Sequence, residues 1–175
     1  SVNPTNLKNK YLLSDKLSTP YTDLELSRIS ISRLMQKVQK MVPDNDNKIK
    51  IIGDIPNVII NVDELKMMLA IRNLLDNAIK YSVTSTKPCE VSFRVDDNLL
   101  FISIKDFGQG IKKEDISKLT EPFYRGNPKT NIKGFGIGLT IVKKVIESHG
   151  GELVIDSQHN RGSTFTLQIP YSTKK

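Results

Sequence analysis

The distribution of apolar residues predicts an α+β fold: a two-layer sandwich with three main helices on one face of a mixed, mostly antiparallel sheet. Two observations carry this. β-Rich segments cluster into two hairpins, and stretches of helical periodicity lie before and between them. A third bounds it, since 175 residues with 38% hydrophobic content suffice for one domain with its own core.

Each element has a local reason. Residues 1–20 are polar apart from Leu7 to Leu17, which read as the end of a helix broken by Ser18-Thr19-Pro20. They are assigned as the tail of an upstream helix and its linker, and 21–175 as the domain proper. Thr22-Asp23-Leu24-Glu25 has capping-box form, and Leu26, Ile29, Leu34, Val38 and Met41 recur at roughly helical spacing, so one helix is expected up to Pro43. Asp44 to Asn47 form a turn. Lys48 to Ile52 and Val58 to Val62 read as strands, followed by a long helix from about Asp63 to Tyr81. Glu90 to Val95 and Leu99 to Lys105 form a hairpin across Asp96-Asp97-Asn98. A short helix over Lys113 to Leu119 precedes a long polar loop, Thr120 to Lys133, of the kind that serves as a lid or is disordered. The last helix stops at Gly150-Gly151, and Glu152 to Ser157 with Ser163 to Ile169 make the second hairpin.

Composition removes several function classes. The longest apolar runs fall far short of the roughly 20 residues that span a bilayer, and no signal-peptide pattern opens the chain, so a soluble, cytoplasmic piece without direct membrane contact is expected. The single Cys89 excludes a disulfide framework and a cysteine-based metal site. The net charge of +7 is spread over scattered lysines with no basic run interleaved with aromatics, which argues against nucleic acid and suits a polyanion such as ATP.

Four short motifs carry the chemistry, one of them Pro122-Phe123-Tyr124-Arg125. Gly134-Phe-Gly-Ile-Gly-Leu139 feeds an amphipathic helix, the arrangement in which glycines let backbone approach an anion and helix N–H groups favour phosphate. It departs from the dinucleotide fingerprint, because the third glycine comes one residue early with no strand before it, and no Gly-Lys-Ser/Thr exists for a P-loop. On the long helix Asn73, Asn77 and Lys80 share a stripe beside the apolar arc of Met67, Ile71, Leu74 and Ala78. Asparagine is a poor helix former, so two of them bordering the core suggest a ligand, and a neutral amide oxygen suits Mg²⁺ already surrounded by phosphate oxygens. Asp106 ends an apolar strand before Gly108 and Gly110, placing a carboxylate where an exocyclic amine would meet it. The Asp106-Phe107-Gly108 triplet is not the magnesium loop of serine/threonine and tyrosine kinases, since neither a Val-Ala-Ile-Lys nor a His-Arg-Asp motif is present.

Together these motifs resemble the catalytic and ATP-binding domain of sensor histidine kinases, in the superfamily of gyrase, Hsp90 and MutL with its Bergerat-type ATP-binding fold, over about Thr22 to Pro170. Asn73 to Tyr81 looks like the N box, Asp106 to Ile111 the first glycine box, Phe123 the F box, and Gly134 to Leu139 the second glycine box. The resemblance implies that Asn77 ligates Mg²⁺, that Asn73 and Lys80 face the phosphates, that Tyr81 lines the adenine pocket and that Asp106 bonds the adenine amino group. Gly108, Gly110 and Ile111 would shape that pocket. Phe123 and the segment Tyr124 to Lys133 would form the ATP lid, with Arg125 near the γ-phosphate, and Gly134, Gly136, Gly138 and Leu139 would belong to the triphosphate cradle. Phe107 is bulkier than the residue commonest at its position.

Position 73 separates two reaction types. Water-splitting members of the superfamily carry a glutamate four residues before the metal-binding asparagine, placed as general base on water; this chain has Asn73, whose amide cannot take that proton. Transfer to a better nucleophile is favoured, and in the kinases it is a histidine on a separate helical hairpin. Neither His149, in a helix-ending Ser-His-Gly-Gly, nor His159, in a polar turn, has the context of such an acceptor. The expectation is a catalytic fragment that binds ATP and Mg²⁺ and phosphorylates a dimerisation domain absent from this chain. A homodimeric inner-membrane parent would then pass the phosphoryl group to a response regulator. A related ATPase or protein-serine kinase, and a non-catalytic nucleotide-sensing module, are the alternatives.

Overall fold

The computed structural model describes residues 23–42, 47–82, 85–121 and 138–173. Its elements run β1 (Leu26–Ser30), α1 (Ile31–Met41), β2 (Ile49–Ile52), β3 (Ile59–Asp63), α2 (Glu64–Tyr81), β4 (Cys89–Asp96), β5 (Leu99–Asp106), α3 (Lys113–Ile116), α4 (Gly138–Ser148), β6 (Glu152–Gln158) and β7 (Gly162–Pro170). The α+β class and the mixed sheet are as expected: five strands in the order β2-β4-β5-β7-β6, antiparallel throughout except for the parallel β2–β4 pair.

Alternation along the strands divides the sheet into two unlike faces. Val91, Leu100, Ile102, Ile104, Phe165, Leu167 and Ile169 are buried on one of them. α2 and α4 lie against that face and against each other, while α1 packs on α2 and β1. The opposite face presents a cleft of mixed character that includes Ser92, Phe101, Ser103, Val154, Thr166 and Gln168.

The start of the domain differs from expectation. Residues 26–30 are a strand, not the first turns of a helix, and β1 pairs antiparallel with β3 in a separate two-stranded ribbon. Leu26 is left 51% exposed while Ile29 is buried, and the helix begins only at Ile31, after Ser30 accepts a hydrogen bond from the Arg33 N–H at 3.2 Å. The apolar spacing 26, 29, 34 fits a helix on paper. The ladder to β3 and the Ser30 cap decide otherwise, because tertiary pairing outweighs a weak local preference.

The long helix α2 is held at both ends. Asp63 caps it, accepting from Lys66 N–H through Oδ1 and from Glu25 N–H through Oδ2, each at 3.1 Å. At its far end the Ser82 N–H bonds the Ala78 carbonyl at 3.1 Å. α4 finishes in a Schellman motif: Gly151 N–H reaches Ile146 O and Gly150 N–H reaches Glu147 O, both at 2.9 Å, with Gly150 at φ +73°.

Candidate nucleotide site

The buried face of the sheet turns polar at a single row. Across β5, β7 and β6 the register sets Ile104 opposite Phe165 and Phe165 opposite Ile155, an apolar row. Two residues on, it sets Asp106 opposite Ser163 and Ser163 opposite Ser157. Asp106 is 1% exposed. One carboxylate oxygen, Oδ1, accepts from the Gly108 N–H at 3.0 Å; the other, Oδ2, is buried with no hydrogen-bond partner. Burial raises the Asp106 pKa above the ordinary carboxylate range, against the opposing pull of the Gly108 N–H. An unpartnered buried acceptor costs stability, so a ligand that donates to it is favoured by that much more.

The C-terminal end of α2 closes on this row. Gly108 lies so near the last residue of the helix that a Cβ there would overlap the Tyr81 carbonyl. The Tyr81 phenol has its pKa raised, first by burial and then by the negative charge of Asp106. One turn back along the helix is Asn77 and two turns back is Asn73, both half-buried, with Lys80 beside them. The arc they border is buried as the periodicity required: Met67, Ile71, Leu74 and Ala78 are all within 1% of full burial.

The loop after Asp106 rests on the β6–β7 hairpin. Gly110 adopts φ +68°, and a Cβ there would overlap the Gln158 carbonyl, so both the turn and the close approach require glycine. The bulk of Phe107 is placed away from Asp106, on the Lys105 side of the strand, with the Lys105 and Lys87 ammonium groups 5.0 and 5.2 Å from its ring centroid.

Residues 62–173 match the family described as histidine kinase-, DNA gyrase B-, and HSP90-like ATPase. The chain belongs to this ATPase family. It is 30% identical over 97% of its length to the sensor histidine kinase WalK of Bacillus subtilis, of which it covers 29%. Among solved structures, full-length ShkA in complex with AMPPNP superimposes with a TM-score of 0.77 at 23% identity, covering 96% of this chain and 36% of that one. The catalytic domain of histidine kinase ThkA in a nucleotide-free form superimposes at 0.70 with 21% identity, covering 85% of this chain and 97% of that one. These likenesses show the same fold. The chain spans less than a third of the length of the curated relatives it matches.

Within this member of the ATPase family the structure brings together Tyr81, Asp106, Gly108, Gly110 and Ile111, and sets Asn73, Asn77 and Lys80 along the helix leading to them. Gly138 and Leu139 open α4, and Leu139 is 7% exposed. Phe123, Arg125, Lys133, Gly134 and Gly136 lie outside the described residues. The residues flanking that segment are tied to each other: the Thr140 hydroxyl donates to the Thr120 carbonyl at 2.7 Å, and Thr140 is 7% exposed.

Sequence reasoning passed over Ser157, Ser163 and Thr140. The first two leave a readable signal, because each occupies an inward position in an apolar stripe, Ser157 after Leu153 and Ile155, and Ser163 before Phe165 and Leu167. His149 proves to do more than end a helix. Its Nδ1 lies 2.7 Å from the Val145 carbonyl and its Nε2 accepts the Asp63 N–H at 2.9 Å. The imidazole is thereby neutral with its proton on Nδ1, and it links the end of α4 to the cap of α2. Among the described residues no helix is long and apolar enough to cross a membrane, and no group of three His, Cys, Asp or Glu converges to hold a metal ion.

Proposed function

We propose that this chain is the ATP-binding catalytic domain of a two-component sensor histidine kinase, which binds Mg·ATP and transfers the γ-phosphoryl group to a histidine on a dimerisation domain. The observation that carries the nucleotide is the buried, unpartnered Oδ2 of Asp106. It is an acceptor at the polar end of the core, matched to the exocyclic amine of adenine, with Oδ1 held by the Gly108 N–H so that the carboxylate cannot rotate away. Tyr81 and Gly108 wall the base, and the α2 stripe leads from the base toward the phosphates.

Asn77 would hold Mg²⁺ through its amide oxygen. The residues fit such an ion: Asn77 is half-buried on the α2 stripe and offers a neutral amide oxygen, which suits a metal that keeps phosphate oxygens and water for its remaining positions. Mg²⁺ supplies charge neutralisation at the phosphates when bound. Asn73 and Lys80 would face the phosphates, and the free N–H groups at the start of α4 favour the anion. Phe123 and Arg125 would act from the lid, with Lys133, Gly134, Gly136 and Gly138 in the cradle, and Arg125 would stabilise charge on the transferring group.

Asn73 favours phosphoryl transfer over hydrolysis, since it offers no general base for water. Residues 1–20 would then be the tail of the acceptor domain's second helix and its linker. The partners would be that domain and, through it, a response regulator, within a homodimeric parent that anchors this domain on the cytoplasmic side of the membrane. Calorimetry with Mg²⁺ and a non-hydrolysable ATP analogue tests the nucleotide. Phosphohistidine formation on addition of the acceptor domain tests the transfer. Steady hydrolysis by the isolated chain would point to an ATPase instead, and absence of nucleotide binding by the folded chain would leave only a docking module.

A further inference from the structure

The β6–β7 hairpin holds none of the residues assigned to nucleotide above, yet the loop after Asp106 is fastened to it through one hydroxyl. Ser157 Oγ accepts the Ile111 N–H at 2.7 Å, donates to the Gly162 carbonyl at 3.1 Å and lies 2.8 Å from Ser163 Oγ. A serine hydroxyl has one proton to give and two lone pairs to receive. With the Ser163 proton directed to it, all three are used.

The surrounding contacts leave the loop little freedom to settle elsewhere. The Asn160 N–H donates to the Gln109 carbonyl at 2.6 Å. Gly110 sits on the Gln158 carbonyl and Gly162 on the Asp106 carbonyl, each so closely that a Cβ would overlap the oxygen. Among these ties the Ser157 hydroxyl is the one that comes from a side chain, and thus the one a substitution removes without altering backbone.

We infer that Ser157 is a positioning residue for adenine recognition, resting on the nucleotide reading above: its hydroxyl fixes the 107–111 loop at the height that fits the base. Asp106 belongs to a strand paired along its whole length with β7 and keeps its carboxylate in place whether or not Ser157 is present. Removal of the hydroxyl therefore releases the Ile111 end of the loop from β6, leaves its backbone contacts in place and spares the group that recognises the amine. The Ile111 N–H is left to find water.

The experiment is calorimetric titration of parent, Ser157→Ala and Ser157→Thr with Mg²⁺ and a non-hydrolysable ATP analogue, and with ADP, each variant first shown to be folded by its urea transition. Ser157→Ala is expected to weaken both nucleotides by the same factor, on the order of 10-fold, because the loss follows the base and not the phosphates. Ser157→Thr, which keeps the hydroxyl on a side chain suited to a strand, is expected to restore parent affinity within about twofold. A folded Ser157→Ala with parent affinity overturns the inference and leaves the nucleotide reading intact; a parent that binds neither nucleotide overturns both. Amide hydrogen exchange of Ile111 in the parent decides the matter even if the alanine variant fails to fold. Slow exchange before nucleotide is added supports a preset loop, and fast exchange that slows only with nucleotide bound overturns it.

Discussion

Replacing Asp106 by Asn should move stability and binding in opposite directions. The carboxylate is 1% exposed and carries one buried oxygen with no partner, and burial raises its pKa in the folded state. A raised folded pKa means that the group's stabilising contribution is complete below the unfolded value of about 3.9 and is lost as pH rises through the folded value. Once pH exceeds the folded value, the free domain thus bears the cost of an ionised group out of water. The asparagine oxygen retains the Gly108 N–H and the side chain keeps its shape without the charge. A buried unsatisfied polar group costs about 1–3 kcal/mol; part of that persists with the amide, so a net gain of about 1 kcal/mol is expected, or roughly 2–4 °C in Tm. The gain should shrink as pH falls through the raised folded value, where the parent carboxyl takes up its proton. Nucleotide binding should weaken, because the amide presents N–H groups to the adenine amine in place of an acceptor. Loss of a charge-assisted hydrogen bond of about 1.5–3 kcal/mol corresponds to roughly 10- to 150-fold in Kd. Urea titrations at pH 4.5 and 7.5, with calorimetry at pH 7.5, read both quantities. A variant less stable than the parent at pH 7.5, or one that binds the ATP analogue as well as the parent, would refute the reasoning.

Other expectations follow from single contacts. Gly108→Ala drives a Cβ into the Tyr81 carbonyl, which belongs to backbone and cannot give way cheaply; a loss of about 1–3 kcal/mol in urea unfolding is expected, together with loss of nucleotide binding by calorimetry. His149 is held neutral with its pKa lowered mainly by burial, so its contribution is complete above the unfolded value of about 6.5 and is lost as pH falls toward the folded value. The domain should therefore lose stability below pH 6.5 more steeply than His149→Gln, as measured by Tm against pH. Ser30→Ala removes the cap of α1 and should cost about 1 kcal/mol in urea unfolding while leaving nucleotide affinity unchanged. Asn73→Glu supplies the missing general base and, with Mg·ATP bound, should raise hydrolysis by the isolated chain about 10²-fold in a phosphate-release assay. No increase would show that position 73 does not face attacking water.

Most of the architecture was legible because period-2 and period-3.6 patterns dominate where one face of an element is buried. The two hairpins, the long helix with its apolar arc and the glycine stop after Ser148 all stand where the sequence placed them. The strand at 26–30 did not, since its apolar spacing fits a helix and the partner that selects the strand, β3, lies some 30 residues away. The same distinction runs through the site. Asn73, Asn77, Asp106 and the glycines stand in local strings whose chemistry can be read from neighbours in the chain. The bonds of Ser157, Ser163 and Thr140 and the second bond of His149 depend on groups 6 to 86 residues distant; an inward position in an apolar stripe marks Ser157 and Ser163 locally, but nothing local announces their partners.

What the sequence by itself determined is which periodicity each segment obeys and which strings of residues are candidates for chemistry, because propensity, capping and alternation are local properties of the chain. Only the tertiary structure decided that Asp106, Ser163 and Ser157 form one polar row where three strands run out of apolar core, that one oxygen of Asp106 there lacks a partner, and that a serine hydroxyl on β6 accepts the Ile111 N–H of the loop after it. The reason is that register between strands distant in sequence is set by the packing of the whole buried face, and the desolvation that gives Asp106 its character exists only once that face is closed.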